Sequence, residues 1–387
     1  MKKFQKFPGM VNDYWDNGLD LWWPIYPWLK HIDPNKVAIY IDSFFPFKEF
    51  PPNIKAVVCT CYEVWPRIEN LEALANSRPD LPFIWLSDVD CYDYVLPKNV
   101  YHIRYRHFQL RMLRFRMNYD VNLVPRVKDK NYNIKFSSMS FWPRQARALI
   151  TAALLKYAKD QSFISWHGTE VSIPTTEETI QKGITTSFDY SFNWGLVKSL
   201  QQDSRFSNLD WSFLHNDLTF DDFNLFNNYH EVTATDINHA GYQNSVINFT
   251  NETTSFGLYD DGSQRFIRPG PYLNEKTAKP LLTGTIAINS GQPFLYKYLK
   301  ELYEIDCDYK LIDLEFDSTA GDLDRFEKLV TLIRTLSDIP LKTLLDANID
   351  TMARIQDQIL DPAWYDHMQY LNQKEDAAIA ELLGKFV

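Results

Sequence analysis

The sequence predicts an α/β protein built from two domains that contain parallel sheets. Three observations support this prediction: the chain has 387 residues, 45% of them are hydrophobic, and short apolar runs alternate with helical patterns. A chain of this length exceeds the size at which a single hydrophobic core is usual. Alternation of strands with helices is typical of a parallel sheet with crossover helices.

The first series of elements lies in residues 1–125, which we predict to form one α/β domain. Its predicted strands and helices are strands at 37–44, 54–62, 82–87 and 100–105, and helices at 66–77 and 108–118. In the first of these helices Ile68 and Leu71 share an apolar face. The polar, irregular segment 121–133 is the predicted linker.

A second series follows in residues 133–340, the predicted C-terminal domain. Its predicted elements are strands at 133–138, 162–166, 245–250 and 285–289, and helices at 143–159, 193–202, 275–283, 293–303 and 322–336. Residues 341–387 are predicted to form a helical tail. In open α/β sheets ligands bind at the carboxyl ends of the strands, so we expect the site in a cleft between the two domains.

Bulk composition excludes several classes of protein. A net charge of −10 argues against a dedicated nucleic-acid coat, although it permits a local basic patch. The N-terminus lacks the apolar core of a signal peptide, and no apolar stretch of about 18 residues exists, so we expect no membrane partner and a cytoplasmic location. The four cysteines form no CxxC pair or Cys/His cluster, which argues against a zinc site and favours a reducing compartment.

The most informative segment is 245–291. An apolar strand runs into FTNET, which contains Glu252 and Thr253. After a polar loop, the run YLNEKTAKP opens a helix with Glu275 and Lys276 and continues to Lys279. A Gly turn and the apolar strand TIAIN follow. Because the strand end and the helix start meet at the same edge of a parallel sheet, we expect these side chains to share one site.

This segment resembles the donor-binding region of the α-1,3-fucosyltransferases and related exostosin-like transferases. It resembles more closely a group of phage-encoded glycosyltransferase-like proteins with a Glu-Thr, (Ser/Thr)-Glu-Lys-Thr-x-Lys-Pro, Gly pattern. The resemblance extends from Ser245 to about Arg325 and departs from the pattern at Asn274, where Thr or Ser is usual. It implies two Rossmann-like domains that face a cleft (the GT-B type), with C-terminal helices, and a nucleoside-diphosphate sugar as donor.

The chemistry of the helix start agrees with the resemblance. A carboxylate at Glu275 is able to accept hydrogen bonds from two ribose hydroxyls. Lys276 and the helix N-terminus supply the positive charge and the backbone N–H groups that a diphosphate needs. The resemblance implies that Glu252 contacts the sugar or ribose. The alternative for Glu275 and Lys276 is an ordinary solvated helix start.

Two arginines stand at the first strand-to-helix turn of the C-terminal domain. Arg144 and Arg147 lie three residues apart, on one face of the predicted helix. An arginine at a helix start opposes the helix dipole, so a bound anion would relieve the cost. The resemblance implies that an arginine at this turn meets the diphosphate. Two exposed arginines on a short turn are the alternative.

Transfer to a hydroxyl needs a base that accepts the proton of the acceptor. The candidates lie at the strand ends of the first domain: Asp42, Glu63, Asp88 and Asp90. Asp88-Val89-Asp90 also matches the D-x-D pattern with which another transferase architecture binds Mn²⁺, but here it precedes the predicted donor domain. We interpret it as a loop. For each acid singly, solvation or capping is the alternative.

The segment 101–116 is basic within an acidic chain. Arg104 and Arg106 fall on one face of a strand, and Arg111 and Arg114 on one face of a helix, with aromatic residues between them. This pattern suits contact with the phosphate backbone of nucleic acid. A solvated basic face that balances the acidic body explains it equally well.

These observations and the resemblance predict a glycosyltransferase that uses a nucleoside-diphosphate sugar. Because the two-domain class implied by the resemblance usually needs no metal, we expect no metal or other cofactor. The phage-like resemblance and the basic segment suggest duplex DNA with a hydroxymethylated base, hydroxymethylcytosine, as acceptor. A surface glycan is the alternative acceptor, and a non-catalytic module that binds DNA or protein is the alternative class. A location in the host cytoplasm follows if the chain is phage-encoded.

Overall fold

The computed structural model describes the following parts of the chain: residues 36–41, 53–60, 68–87, 95–106, 124–140, 145–166, 194–214, 240–250, 275–291, 293–319 and 322–386. Within them the protein is an α/β structure with two four-stranded sheets, and every strand pair is parallel. The predicted fold class is therefore confirmed at this level.

The strands of the first sheet are β1 (Val37–Ile41), β2 (Ala56–Thr60), β3 (Phe83–Ser87) and β4 (Val100–Arg104), and those of the second are β5 (Ile134–Ser140), β6 (Ser162–Trp166), β7 (Ser245–Thr250) and β8 (Ile286–Asn289). The helices are α1 (Ile68–Ser77), α2 (Gln145–Ala158), α3 (Trp194–Gln202), α4 (Ala240–Gln243), α5 (Glu275–Leu282), α6 (Leu295–Tyr303), α7 (Glu315–Ser318), α8 (Asp322–Asp338), α9 (Leu341–Leu360) and α10 (Pro362–Phe386).

The first sheet has the order β1-β2-β3-β4, so each strand lies beside the next in sequence. Alternate residues of β2 and β3, among them Val57 and Phe83, pack with Leu71 and Ala75 of α1 in a buried core. The side-chain amide of Asn99 donates hydrogen bonds to three carbonyl oxygens at and beyond the end of α1, those of Ala75, Arg78 and Leu81, and so caps the C-terminal end of that helix.

The second sheet has the order β6-β5-β7-β8. The chain moves from β5 to β6 in one direction and from β7 to β8 in the other. Because crossovers between parallel strands are right-handed, α2 and α5 cover opposite faces of the sheet. The region between β5 and β7 is therefore a topological switch point, where open α/β sheets bind ligands.

Two long helices complete the core around the second sheet. Along α8, Leu329, Ile333 and Leu336 are buried at helical spacing, and α8 packs against α2. The next helix, α9, packs against α5 and β7. Its side chain Gln356 is fully buried, donates to Leu282 O and Pro125 O, and accepts a hydrogen bond from the backbone N–H of Val127.

The described residues fall into two compact units. The first contains 36–106 and 365–386, and the second contains the described part of 124–364, so α10 contributes residues to both. The boundaries predicted from sequence, 1–125, 133–340 and 341–387, stay predictions.

Most predicted elements are present, with ends that differ by one to a few residues. The predicted tail consists of two helices, because α9 ends before Asp361, the residue that precedes Pro362, and α10 begins at that proline. The short helices α4 and α7 were not predicted. The predicted helix at 108–118 lies outside the described residues.

Candidate functional site

The carboxyl edge of the second sheet brings together several segments that the sequence singles out. β5 ends at Ser140 and β7 ends at Thr250, on the two sides of the switch point. Arg147 follows β5, and Lys276 follows β7. An anionic ligand bound at this edge would therefore have basic side chains on both sides.

The start of α5 is tied to the ends of β7 and β8. Pro280 has no N–H, so the carbonyl of Lys276 lacks its usual partner within the helix. Thr250 Oγ1 lies 3.5 Å from that carbonyl oxygen. In the same turn Thr277 Oγ1 accepts a hydrogen bond from Asn289 Nδ2 at 3.3 Å. The first turn of α5 is therefore held at the carboxyl edge.

Of the predicted pair in this turn, Glu275 is the first residue of α5, as expected, and its side chain lies outside the described part. Lys276 is half-buried. Its position in the first turn places its charge at the positive end of the helix dipole, where a cation is disfavoured and an anion is stabilised. The backbone N–H groups of this turn point out of the N-terminal end of the helix and also favour an anion there.

Arg147 lies in the first turn of α2, where the sequence predicts it, and only 4% of it is exposed. A guanidinium in this position opposes the dipole of α2 in the way that Lys276 opposes that of α5. Its role as a phosphate ligand stays a prediction, since its burial is equally consistent with an internal contact. Arg144 lies outside the described residues.

A buried network of polar side chains joins β5 and β7 next to the carboxyl edge. The side-chain amide of Asn248 donates to Ser137 Oγ at 2.8 Å, which joins β7 to β5. Thr250 Oγ1 lies 3.2 Å from Asn248 Oδ1. Ser137, Asn248 and Thr250 are all almost inaccessible to solvent. Satisfied networks of this kind hold a single arrangement of neighbouring strands and so make the edge rigid.

A buried charged pair on α7 and α8, which sequence analysis missed, lies next to the end of β8. Arg325 is 1% exposed and donates to Phe316 O at 2.7 Å and to Asn289 O at 3.3 Å. Its Nη1 lies 3.8 Å from Asp317 Oδ1. Burial raises the pKa of Asp317 to about 6, and the Arg325 charge and two backbone N–H groups oppose that rise.

A pattern in the sequence could have identified Arg325. It lies four residues before Leu329 and eight before Ile333, so it falls on the apolar face of α8. A charge within an apolar helical stripe indicates either a buried ion pair or a site. Asp317 gives no such signal, because α7 is a single turn.

The first unit has its own polar cluster beyond the end of β4. Tyr105 Oη donates to Asp376 Oδ1 at 3.0 Å, and Arg106 forms an ion pair with Glu375. Burial raises the pKa of Glu375 to about 7 and that of Asp376 to about 6. Sequence analysis missed both acids because they lie on α10, far along the chain.

The predicted nucleic-acid contacts fall partly on this cluster. Arg106 is paired with Glu375, and Nε and Nη2 of Arg104 are buried. Their contact with phosphate stays a prediction, as does that of Arg111 and Arg114, which lie outside the described residues.

Further predicted residues lie outside the described ranges, and their roles stay predictions: the candidate bases Asp42, Glu63, Asp88 and Asp90, and the donor contacts Glu252 and Thr253. Lys279 is described, in the last turn of α5. Its Nζ lies 5.7 Å from the ring centroid of Tyr242, which precedes the start of β7. Its contact with the donor stays a prediction.

No cluster of three or more His, Cys, Asp or Glu side chains among the described residues is arranged to hold a metal ion. Among the same residues, no helix combines the length and the apolar character needed to span a bilayer.

The carboxyl edge of the second sheet thus combines a switch point, a rigid polar base and basic residues at two helix starts. Comparison of the chain with models of known families, with curated proteins and with solved structures found no match.

Proposed function

We propose that the protein is a glycosyltransferase that moves a sugar from a nucleoside-diphosphate donor to a hydroxyl acceptor. The observation that supports it best is the start of α5. There a lysine stands in the first turn of a helix, and hydrogen-bonding side chains of β7 and β8 hold that turn at the carboxyl edge of a parallel sheet. This arrangement suits a diphosphate, which needs backbone N–H groups and positive charge together.

In the proposed reaction an acceptor hydroxyl supplies the oxygen that bonds to the anomeric carbon of the sugar. The bond from that carbon to the diphosphate oxygen breaks, and the nucleoside diphosphate leaves with the bonding electrons. Lys276 and an arginine, Arg147 or Arg144, stabilise the charge on the leaving group. Glu275 binds the ribose. A carboxylate of the first unit, Glu63 or one of Asp88 and Asp90, takes the hydroxyl proton.

The finer architecture belongs to the same proposal. The two units would be Rossmann-like domains of the GT-B type, one for the acceptor and one for the donor. The parallel sheets and the 2-1-3-4 strand order of the second unit support this reading.

For the acceptor we retain two candidates. The basic segment 101–116 favours hydroxymethylcytosine in duplex DNA. The ion pair between Arg106 and Glu375 weakens the argument for DNA, because an arginine with an internal partner is less available to phosphate, and a surface glycan is the second candidate. The proposal that duplex DNA is the acceptor therefore depends most on Arg111 and Arg114.

The donor site is tested by titrating the protein with UDP-glucose, UDP-N-acetylglucosamine and GDP-fucose in a calorimeter. We expect one of them to bind, and Lys276→Ala to weaken its binding about 10- to 100-fold, because a charge-assisted hydrogen bond is lost. Lys297→Ala is the matched control, since Lys297 is exposed on α6. Absence of binding to all three, or unchanged binding by the Lys276 variant, would contradict the proposal.

The acceptor is tested by mass spectrometry with the donor that binds. A duplex that contains hydroxymethylcytosine is compared with an unmodified duplex and with a bacterial surface glycan. Added sugar mass on the modified duplex alone, lost when Arg111 and Arg114 are both changed to Gln, supports the DNA acceptor. Added mass on the glycan alone rejects it and leaves the enzyme class intact.

A further inference from the structure

Arg325 is buried at a place where a positive charge is disfavoured. It is the fourth residue of α8, near the positive end of that helix dipole, and only 1% of it is exposed. Its Nη1 lies 3.8 Å from Asp317 Oδ1, which is beyond hydrogen-bond range. Buried ion pairs add little to stability because desolvation offsets their attraction. A gain in stability therefore does not explain an arginine at this position.

The guanidinium of Arg325 contacts two backbone carbonyls that belong to different elements. Nη1 donates to Phe316 O of α7 at 2.7 Å, and Nη2 donates to the carbonyl of Asn289, the last residue of β8, at 3.3 Å. A guanidinium presents several N–H groups in one plane, so a single side chain is able to hold both acceptors. Arg325 thus fixes the end of β8 relative to α7 and α8.

Asn289 connects this contact to the start of α5. Its side-chain Nδ2 donates to Thr277 Oγ1 at 3.3 Å. Thr277 is completely buried and directly follows Lys276 in the chain. A continuous path of hydrogen bonds therefore leads from Arg325 through Asn289 to the turn that contains the lysine.

A second contact at the end of β8 reaches the same turn. The backbone N–H and the Oγ of Ser290 both donate to Thr250 O, at 3.1 and 3.3 Å. Thr250 Oγ1 lies 3.5 Å from the carbonyl oxygen of Lys276. Ser290 and Thr250 are almost inaccessible to solvent. The end of β8, which Arg325 holds, thus positions the first turn of α5 through two buried routes.

The position of this turn determines how well it binds an anion. Its backbone N–H groups and the ammonium of Lys276 bind a diphosphate strongly only when they converge on the same oxygens. Sites of this kind need their groups held within about 0.5 Å of the productive geometry by the residues behind them. A buried side chain that never contacts the ligand is therefore able to control its affinity.

We propose that Arg325 is a positioning residue of the diphosphate site and acts through Asn289 and Thr277 on the first turn of α5. This inference rests on the proposed function. It adds to that function a residue that does not contact the donor but sets the geometry of the groups that do.

The first test is Arg325→Lys, titrated with UDP and GDP in a calorimeter. Lysine retains the charge, but its single nitrogen does not hold both carbonyls in the geometry of the guanidinium. We expect the affinity for the nucleotide that binds to fall about 3- to 10-fold, because the turn is held less well. Arg334→Lys is the matched control, since Arg334 is exposed on the same helix, and it should leave the affinity unchanged.

The second test is Thr277→Val, at the other end of the same path. Valine has nearly the shape of threonine but lacks the hydroxyl that accepts from Asn289. It should weaken nucleotide binding to a similar extent, whereas Thr277→Ser, which keeps the hydroxyl, should not. Because Arg325→Lys and Thr277→Val interrupt one path, the protein with both changes should bind nucleotide no more weakly than the weaker single variant.

A loss of stability alone would not produce this pattern. Gln356→Ala removes three buried hydrogen bonds, one of them to Leu282 O at the other end of α5. It should destabilise the protein and leave nucleotide affinity unchanged. Loss of affinity in this variant as large as in Arg325→Lys would mean that binding follows overall stability, and would overturn the inference.

Further outcomes would also overturn it. Unchanged nucleotide affinity in Arg325→Lys or in Thr277→Val, with Lys276→Ala still weakening the binding, rejects the positioning role and leaves the proposed function intact. Losses that multiply in the double variant show that Arg325 acts independently of Thr277. If Arg325→Lys does not fold, equal affinity in Thr277→Val and Thr277→Ser rejects the path. Absence of nucleotide binding by the wild-type protein rejects the inference and the proposed function together.

Discussion

The two ends of α5 each have a lysine, and the lysines meet opposite ends of the helix dipole. Lys130 donates to the carbonyl of Thr283, just beyond the C-terminal end of α5, and to that of Tyr242. Lys276 lies in the first turn of the same helix. A cation is stabilised at a helix C-terminus and destabilised at an N-terminus. Lys130 therefore has backbone carbonyls of the fold as partners, whereas an anion near the first turn of α5 would stabilise the charge of Lys276.

The two edges of the second sheet differ in the same way. Polar side chains of the amino edge have backbone carbonyls as partners, whereas basic side chains at the carboxyl edge lie at helix starts. At the amino edge Lys135 donates to the carbonyls of Leu336 and Ser337 at the end of α8, and Tyr132 donates to that of Gly284. These side chains donate hydrogen bonds to backbone carbonyls, so their role is to stabilise the fold. A buried polar side chain is thus no indication of function until its partners are known.

The amino edge should be sensitive to packing, and Gly284→Ala should have the largest effect. Gly284 has φ +63°, and a Cβ there would lie 2.1 Å from Val127 Cγ2. We expect a loss of about 4 kcal/mol in the free energy of unfolding, from backbone strain and overpacking together. Urea unfolding measures it.

Gly384→Ala is the control for this substitution, since nothing lies within 4 Å of a Cβ added to that helical glycine. It should leave stability unchanged or raise it slightly. If the Gly284→Ala variant is as stable as the wild-type protein, the end of α5 does not pack as tightly against Val127 as the structure shows.

Gln356→Ala should have the next largest effect. The substitution removes three hydrogen bonds and leaves the N–H of Val127 and two carbonyls without this partner in a buried place. We expect a loss of about 3 kcal/mol in the free energy of unfolding and unchanged nucleotide binding. Loss of nucleotide binding in the folded variant would contradict the assignment of a structural role to the amino edge and of ligand binding to the carboxyl edge.

Gln358→Ala provides the comparison on the same helix. Gln358 is half-buried and makes one described hydrogen bond, to Glu304 O. Its substitution should cost about 1 kcal/mol or less.

The sequence predicted the parts of this edge that depend on local patterns. The strand β7, the helix start at Glu275 and the position of Lys276 follow from neighbours along the chain, and the structure has them where expected. Gln356 was not singled out, although Met352 and Ile359 on the same face of α9 are buried. The polar residue within that apolar stripe was the available signal.

The parts that were missed depend on contacts between distant residues. Arg106 and Glu375 are 269 positions apart, and Arg325 and Asn289 are 36 apart. No periodic pattern relates such pairs. One-turn helices such as α7 are likewise defined by their contacts, here the hydrogen bonds that Asp317 makes with α6.

The third expected effect, and the most specific, is the pH dependence that Lys130 gives to stability. Burial lowers the pKa of Lys130 to about 7. Between that value and the unfolded value of about 10.4 the unfolded chain binds more protons, so the Lys130 contribution to stability rises with pH through this window. Relative to Lys130→Met, the wild-type protein should gain about 2–3 kcal/mol in the free energy of unfolding between pH 7 and 9.5. Urea unfolding at the two pH values measures the difference, and Lys128→Met, at an exposed position, should show no such change. A difference that stays constant with pH would contradict the lowered pKa of Lys130 and the burial that causes it.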